Sequence, residues 1–219
     1  AAHRHQAIAR GEGTPVGREA RACDDQAGPH GTGLGLNAQA HDDVVVALPP
    51  NAPRMPRNRF VEGLGRTVLR LGGWRMVGTF PDLPKFVLIA APHSSNWDGV
   101  WGAAVKLAMG VKLSILGKEA LVKAPLFGPL AKWQGVIGVD RSAAHGVVEQ
   151  AVMAIRNADR MWFTIAPEGT RKPVDRWKPG FWHIARAAGV PVVAAYFDYA
   201  NKVVGIGPLC ELTDDMHGD

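Results

Sequence analysis

The sequence predicts an α/β fold: a single domain with a largely parallel central sheet covered by helices on both faces. Two features of the sequence indicate this class. Short apolar runs alternate with stretches of helical periodicity, and the runs themselves are unbroken. Strands that a parallel sheet buries on both faces have such unbroken runs, and their alternation with helices is typical of βα units.

Five apolar runs after residue 84 predict strands, and four windows between them predict helices. The predicted strands span 86–90, 112–116, 136–139, 162–165 and 190–197. The predicted helices span 99–109, 125–133, 143–157 and 181–188. Because a helix separates most consecutive strands, each strand can run in the same direction as the one before it.

The first 56 residues differ in composition from the rest of the chain. All 7 Trp, 7 Phe and 2 Tyr lie at residue 60 or later, and residues 1–56 are rich in Ala, Gly, Pro and Arg. Such a segment buries too little apolar surface to offset the chain entropy lost on folding. We therefore expect residues 1–56 to be disordered, apart from 44–48, which could pair as a short strand. Residues 57–219 should form the folded domain.

A short basic amphipathic helix is predicted within residues 57–78, with Gly72-Gly73 as a breaker. Its apolar side chains recur at the spacing of one helical face: Phe60, Val61, Leu64, Val68 and Leu71. Three arginines share another face: Arg59, Arg66 and Arg70. Two interpretations stay open, a surface helix docked on the core with its charges in water or an interfacial helix that rests on anionic lipid.

Length and composition are those of an ordinary globular domain, with 219 residues of which 47% are hydrophobic and 21% are charged. The formal net charge of +5 favours an anionic partner such as a phosphate or a lipid headgroup. No nucleic-acid-binding signature occurs in the sequence, so we expect no nucleic-acid partner. The sequence has no apolar run of 18 residues, and residues 1–10 lack the apolar core of a signal peptide. We expect a cytoplasmic protein.

Four residues separate His93 from Asp98 in the segment that follows the predicted strand 86–90. Open α/β sheets place ligand sites at the carboxyl ends of their strands. A neutral imidazole can take a proton from an attacking hydroxyl, and a carboxylate can orient the imidazole. Positions five apart on a regular helix lie about 140° apart, so the two can meet only if His93 precedes the helix. A helix-capping aspartate beside a structural histidine would give the same spacing.

A second polar block, Glu168-Gly169-Thr170-Arg171, follows the predicted strand 162–165. Arg171 offers a bidentate fork for phosphate, and Glu168 can accept hydrogen bonds from substrate hydroxyls. Gly169 permits a tight turn that a ligand can approach closely. Arg141, just after the predicted strand 136–139, is a candidate second phosphate contact. Taken singly, each of these could be a polar turn on the surface.

The order of these blocks resembles the glycerolipid acyltransferase family, whose best-known members convert lysophosphatidic acid to phosphatidic acid. Four blocks match in the family's order: His-x4-Asp at 93–98, a strand that ends in arginine at 135–141, Pro-Glu-Gly-Thr-Arg at 167–171 and an apolar Val-Pro run at 190–193. The resemblance spans about residues 57–212. Family members normally continue beyond the fourth block, so we expect the C-terminal part of the fold to be missing from these 219 residues.

The resemblance implies transfer of a fatty acyl group to the free hydroxyl of a lysophospholipid such as 1-acyl-glycerol-3-phosphate, without an acyl-enzyme. His93 would be the general base and Asp98 its orienting partner. Substrate binding would fall to Arg141, Glu168, Gly169, Thr170 and Arg171. Acyl-CoA or acyl-carrier protein would be a co-substrate, and no metal or other cofactor would be required. The protein would be peripheral, at an anionic membrane surface on the inner face of the membrane.

Two other functions stay open at this point. One is a metal-assisted phosphoesterase with His93, Asp98 and Glu168 as ligands, although metal sites usually have three or four protein ligands and few others are at hand. Excess chelator would abolish such an activity and leave an acyltransferase untouched. The other is a non-catalytic module that binds anionic lipid, whose binding His93→Ala would not change.

Overall fold

The computed structural model describes residues 44–92, 95–125, 128–140, 146–170, 174 and 176–216, and these ranges form an α/β fold, which confirms the predicted class. The helices within them are α1 (Arg59–Gly72), α2 (Asn96–Met109), α3 (Glu119–Lys123), α4 (Gly128–Trp133), α5 (Val147–Asn157) and α6 (Gly180–Ala188). The strands are β1 (Arg75–Val77), β2 (Lys85–Ala90), β3 (Leu113–Lys118), β4 (Val136–Val139), β5 (Met161–Ile165), β6 (Val192–Asp198) and β7 (Val203–Cys210).

The strands form one 7-stranded sheet in the order β1-β7-β6-β2-β5-β3-β4. The pairs β1/β7, β6/β2, β2/β5, β5/β3 and β3/β4 are parallel, and β6/β7 is antiparallel. The sheet is therefore largely parallel, as predicted. The antiparallel pair arises because β7 follows β6 through a short turn, too short for a crossover helix.

Helices cover both faces of the sheet, again as predicted. Successive side chains of a strand point to opposite faces, so Phe86 and Leu88 of β2 lie in one apolar cluster and Val87 and Ile89 in the other. On the first face α1 and α2 contribute Leu69, Ala104, Val105 and Ala108. On the second face α5 and α6 contribute Ala151, Val152, Ile155, Ile184 and Ala185.

The prediction that residues 1–56 are disordered is wrong from Val44 onward. Val45, Ala52 and Met55 are buried in the described part of this segment. The backbone is also tied down, since Met76 N donates to Val44 O at 2.9 Å and Met55 N donates to Gly110 O at 2.8 Å. Small apolar residues and main-chain hydrogen bonds thus fix the segment without any aromatic side chain. Residues 44–48 form no strand, and residues 1–43 lie outside the described ranges.

Several predicted boundaries differ from the structure. One boundary agrees: the helix predicted within 57–78 ends at the predicted breaker Gly72-Gly73, because Gly73 adopts a left-handed conformation with φ 73° and caps it, and β1 follows. The strands β1 and β7 and the helix α3 were not predicted. The predicted helix 125–133 begins at Gly128, and the predicted strand 112–116 is Leu113–Lys118. These are short or glycine-containing elements with weak local signals.

The helices α1 and α2 form an antiparallel pair whose backbones come close together at Gly65. A methyl group built on Gly65 would lie 2.5 Å from the backbone N of Ala108, so a side chain larger than hydrogen does not fit there. Near the other end, a methyl group on Gly72 would lie 2.4 Å from the Trp101 ring. The C-terminal end of α1 therefore meets the first turns of α2, where the candidate site begins.

The helix α1 docks through a different face from the one that the apolar spacing predicts. Gly65 and Leu69 are its buried residues, whereas Phe60, Leu64 and Leu71 are 80%, 51% and 85% exposed. At 100° per residue these three lie about 140° around the helix from the buried face. Most of the predicted apolar face thus points away from the core.

Candidate active site

The register of the central strands brings the two polar blocks to one edge of the sheet. Ile89 of β2 pairs with Ile165 of β5, and Ala90 of β2 pairs with Ala195 of β6. All three strands are parallel, so the segments after Ala90, Ile165 and Asp198 leave the sheet at the same, carboxyl edge. This is the edge at which open α/β sheets bind ligands.

Asp98 lies at the start of α2, which begins at Asn96, three residues before the predicted start. Ser95 is the N-cap, and its side chain accepts a hydrogen bond from Trp97 N at 3.1 Å. The carboxylate completes a capping box, since Ser95 N donates to Asp98 Oδ2 at 2.9 Å. Asp98 is only 2% exposed. Asp98 therefore has the helix-capping role that the sequence analysis left as an alternative. This role fixes its carboxylate at the carboxyl edge of the sheet.

A second element reaches the same carboxylate. The hydroxyl of Tyr199, in the turn between β6 and β7, donates to Asp98 Oδ1. Both carboxylate oxygens of Asp98 thus accept hydrogen bonds, one from its own helix and one from a turn 101 residues later in the chain. Burial and the hydrogen bond to Asp98 raise the pKa of Tyr199, so its hydroxyl stays protonated.

Three of the predicted site residues, His93, Arg141 and Arg171, lie outside the described residues. In sequence, His93 stands two positions before Ser95, the N-cap of α2. Arg141 follows the described end of β4, and Arg171 follows the described turn 167–170. Strand spacing of about 4.8 Å puts the end of β4 roughly 14 Å from that of β2, three strands away.

The second block follows β5 and is not a simple surface turn. Glu168 is 7% exposed, and Pro167 beside it is fully buried. Gly169 has φ 60° and its N donates to Ala166 O at 3.1 Å, which closes a turn. Gly169 and Thr170 are exposed at the tip of that turn. The Glu168 carboxylate is thus buried, while the backbone of Gly169 and Thr170 is accessible. Such a turn can bind a polar ligand.

Lys178 was not among the predicted site residues, yet its side chain lies over Gly169. A methyl group built on Gly169 would be 2.8 Å from Lys178 Nζ. The backbone supports this placement, because Lys178 N donates to Pro167 O at 2.9 Å. An exposed ammonium group therefore stands directly over the turn, beside the position from which Arg171 follows. Lys178 belongs to the segment 172–180.

The chain at the end of β4 is held by a side chain of α5. Gln150 Oε1 accepts from Asp140 N at 3.1 Å, and Gln150 Nε2 donates to Asp140 O at 2.8 Å. This paired contact fixes the backbone of the residue that immediately precedes Arg141. The strand end is therefore anchored where the sequence predicts a phosphate contact.

Aromatic rings line the start of α2. Trp74 stacks on Trp101 with ring centroids 5.1 Å apart, and Trp101 stacks on Trp97 at 6.2 Å. The Tyr199 ring meets Trp74 edge to face at 5.1 Å and 89°. Trp74 is buried, whereas Trp97, the neighbour of Asp98, is 60% exposed. An apolar wall thus runs from the core to the surface beside the carboxylate.

Sequence reasoning missed Tyr199, Lys178 and Gln150 because no recognised spacing links any of them to the residue that it contacts. Tyr199 contacts Asp98 from 101 residues later in the chain, whereas Gln150 and Lys178 are near in sequence to their contacts. Gln150 sits within a predicted helix, and Tyr199 follows a predicted strand. Lys178 carried the only signal, a cation close after the second block.

Metal-ligand clusters and membrane-spanning helices are both absent from the described residues. No group of three or more His, Cys, Asp and Glu side chains in these ranges is placed to hold a metal ion. Nor does any helix within the same ranges combine the length and apolarity that a membrane span needs.

With this geometry, comparison with known proteins identifies the class. Residues 79–198, more than half of the chain, match the model of the Acyltransferase family. The chain therefore belongs to the Acyltransferase family, which confirms the resemblance drawn from the four blocks.

The names of individual relatives are more specific than the name of the family. The chain is 32% identical over 125 residues to the 1-acyl-sn-glycerol-3-phosphate acyltransferase of Escherichia coli strain K12, which covers 54% of this chain and 49% of that protein. It is 30% identical over 125 residues to the protein of the same name from Salmonella typhimurium strain LT2. The chain spans about half the length of the curated relatives it matches.

A solved structure shares the fold. The crystal structure of the 1-acyl-sn-glycerophosphate (LPA) acyltransferase PlsC from Thermotoga maritima superposes with a TM-score of 0.53 at 17% identity. The match covers 73% of this chain and 72% of that one. At this identity the likeness supports the fold and says nothing further about the substrate.

Proposed function

We propose that this protein transfers a fatty acyl group from a thioester, acyl-CoA or acyl-carrier protein, to the free hydroxyl of 1-acyl-glycerol-3-phosphate. The observation that carries the proposal is the convergence of the two blocks on one sheet edge. Asp98, buried and hydrogen-bonded on both oxygens, lies in the first turn of α2, the helix that follows β2. Buried Glu168 stands at the end of the adjacent parallel strand β5. Membership of the Acyltransferase family supports the reaction class.

In the proposed reaction His93 is the general base and Asp98 orients it. The acceptor hydroxyl loses its proton to His93 as its oxygen bonds to the thioester carbonyl carbon. The carbon–sulfur bond then breaks, and the proton passes from His93 to the leaving thiolate. No acyl-enzyme forms and no metal or other cofactor takes part. Holding donor and acceptor together lowers the barrier, by about 7–11 kcal/mol in the best-oriented reactions.

The acceptor's phosphate and glycerol would bind at the second block. Lys178 Nζ lies over the Gly169 turn, and Arg171, the residue that follows this turn in sequence, would supply a second positive charge. Glu168 and Thr170 offer groups for the glycerol hydroxyl, and Arg141 offers a further cation at the end of β4. A fixed guanidinium fork recognises phosphate through paired hydrogen bonds, and an ammonium group adds a point charge.

The lipid substrate implies that the protein works at a membrane surface, peripherally and on the cytoplasmic face. Five large apolar side chains are exposed on α1 and at the start of α2: Phe60, Leu64, Leu71, Trp97 and Val100. We call these five residues the apolar rim. Exposed arginines of α1, Arg59 and Arg70, accompany it and favour anionic headgroups. Trp97 of the rim adjoins Asp98, so a docked rim would deliver an acyl chain to the dyad.

The test is mass spectrometry of products from purified protein with acyl-CoA or acyl-carrier protein and a panel of lysophospholipids. Phosphatidic acid should form from 1-acyl-glycerol-3-phosphate, at a rate that EDTA does not change. His93→Ala and Asp98→Asn should reduce the rate by at least about a hundredfold, since positioned general acid–base groups contribute roughly 10²–10⁴-fold. Circular dichroism of both variants checks that they fold.

The other candidates make opposite predictions in the same assay. A phosphoesterase would release inorganic phosphate and stop when EDTA is added. A non-catalytic lipid-binding module would give no product while binding vesicles equally well with and without His93→Ala. Full activity of folded His93→Ala would remove the general-base role even if the acyl product forms.

A further inference from the structure

We propose that Tyr199 is a positioning residue that holds the Asp98 carboxylate in its working orientation. This inference rests on the proposed function, because it presumes that Asp98 orients a catalytic base. Its foundation is one contact, the hydrogen bond that the Tyr199 hydroxyl donates to Asp98 Oδ1. Nothing in the spacing of the sequence blocks links these two residues.

The contact supplies a restraint that the helix alone does not. The capping box holds Asp98 through Oδ2, which accepts from Ser95 N at 2.9 Å. One hydrogen bond to a carboxylate leaves rotation about the bond that joins it to Cβ. A second hydrogen bond, on the other oxygen and from another element, limits that rotation. Asp98 is thus fixed between the start of α2 and the turn after β6.

Tyr199 is itself held in place. Its ring meets Trp74 edge to face at 5.1 Å, and Trp74 is buried against Trp101. The turn that carries it is closed by Asn201, whose N donates to Asp198 Oδ1 at 3.0 Å and whose Nδ2 donates to Asp198 Oδ2 at 2.7 Å. A donor mounted on so constrained a turn can fix its partner rather than follow it.

The protonation of Tyr199 agrees with a role as donor. Burial first, and the hydrogen bond to Asp98 second, raise the pKa of its phenol. The hydroxyl therefore remains protonated throughout the range in which an imidazole base works. A phenol with its proton can only donate to a carboxylate, so the contact persists while Asp98 is ionised.

The primary test compares two tyrosine variants, of which only one removes the hydroxyl that contacts Asp98. Tyr199 and Tyr196 are the two tyrosines of the chain, and each is 41% exposed. Tyr199→Phe removes the hydroxyl and keeps the ring against Trp74. It should lower kcat about tenfold and leave KM for both substrates within twofold, because one hydrogen bond to a charged group is lost. Tyr196→Phe should change neither constant.

A second measurement tests the hydrogen bond between Tyr199 and Asp98 without an activity assay. In a Tyr196→Phe background Tyr199 is the sole tyrosine, so absorbance near 295 nm reports its ionisation alone. Adding Asp98→Asn removes one cause of the raised pKa. The Tyr199 titration should then move to lower pH. Circular dichroism of each variant checks that the fold is kept.

The outcomes separate this inference from the proposed function. Loss of activity in Asp98→Asn together with wild-type kcat in Tyr199→Phe would overturn the role of Tyr199 alone. Full activity in Asp98→Asn would overturn the dyad, and with it the inference. An unchanged Tyr199 titration in Asp98→Asn would show that the hydrogen bond does not form in solution. If Tyr199→Phe does not fold, the titration alone decides the contact.

Discussion

Ile89 and Ile165 are register partners in the parallel pair formed by β2 and β5. The pairing has a direct consequence for the site, since the two polar blocks begin just beyond these partners on adjacent strands. A shift of one residue in register would turn every side chain of one strand to the opposite face. The apolar clusters on the two faces therefore also fix the relative position of the two blocks.

The contact between α1 and α2 predicts opposite effects for two glycines of one helix. Gly65→Ala should reduce the free energy of unfolding by about 1–3 kcal/mol, because the new methyl would lie 2.5 Å from Ala108 N and overpack the helix pair. Gly63→Ala should raise it by about 0.5–1 kcal/mol, because nothing lies within 4 Å of that methyl and alanine favours a helix. Urea unfolding measures both. Equal effects would contradict the close approach.

The sequence predicted the elements whose own residues decide their structure. In the run 136–139 three of the four residues are β-branched, the run is bounded by Gly135 and Asp140, and it forms β4 at those bounds. By contrast β7 contains two glycines and a proline, so local preference argues against a strand. Its neighbours β6 and β1 supply the hydrogen bonds that make it one. Tertiary pairing outweighs propensity here.

The same distinction applies to the site. Asp98 and Glu168 follow unbroken apolar strands, and parallel strands present their carboxyl ends together, so local pattern was sufficient to place them on one edge. The exposed stripe of α1 was predicted as one apolar face, but which face docks depended on Gly65, a residue without a hydrophobic signal. Tyr199 depended on a turn fixed by β7.

Because Lys106 is buried, we expect the free energy of unfolding to depend on pH. Its Nζ donates to the backbone O of Gln134 and, at 2.9 Å, to Gln134 Oε1. Burial, and then the charge of Lys112, lower the pKa of Lys106 from 10.5 to about 8. Below pH 8 both folded and unfolded chains are protonated, and the cost of burying the charge is present in full. Between pH 8 and pH 10.5 the Lys106 amine takes up a proton when the chain unfolds, so the free energy of unfolding rises with pH.

The measurement compares wild type with Lys106→Met by urea unfolding from neutral pH to about pH 10. The wild type should gain on the order of 1–3 kcal/mol relative to the variant across this range. Lys112→Met is the control, because it removes the second cause and should make the rise smaller. A difference between wild type and Lys106→Met that stays constant with pH would show that the ammonium group is not destabilised by burial.

Replacing Lys178 should reduce kcat/KM only for acceptors that carry a phosphate. Lys178→Met should lower kcat/KM for 1-acyl-glycerol-3-phosphate about tenfold, since one charge-assisted contact is removed. Monoacylglycerol, which has no phosphate, should be affected less than twofold. Arg176→Met, at an exposed cation two residues earlier, is the matched control. Equal losses on both acceptors would assign Lys178 to the fold of the turn rather than to the phosphate.

The apolar rim predicts binding to anionic vesicles. Phe60 and Leu71 are 80% and 85% exposed, so replacing both by serine should leave the free energy of unfolding within about 0.5 kcal/mol. It should weaken sedimentation with phosphatidylglycerol vesicles by roughly tenfold or more, because each side chain loses an apolar contact worth about 1–2 kcal/mol. Leu130→Ser, at a 56% exposed leucine on α4, is the matched control and should bind as wild type does.

The arginines of α1 should act on the same binding through charge. Arg59→Gln with Arg70→Gln should weaken binding to phosphatidylglycerol vesicles and leave the weaker binding to neutral phosphatidylcholine unchanged. Salt should shrink the difference, because the screening length falls from about 30 Å at 0.01 M to about 8 Å at 0.15 M. Binding that survives both the serine and the glutamine pairs would mean that α1 does not face the membrane, and its exposed stripe would then need another partner.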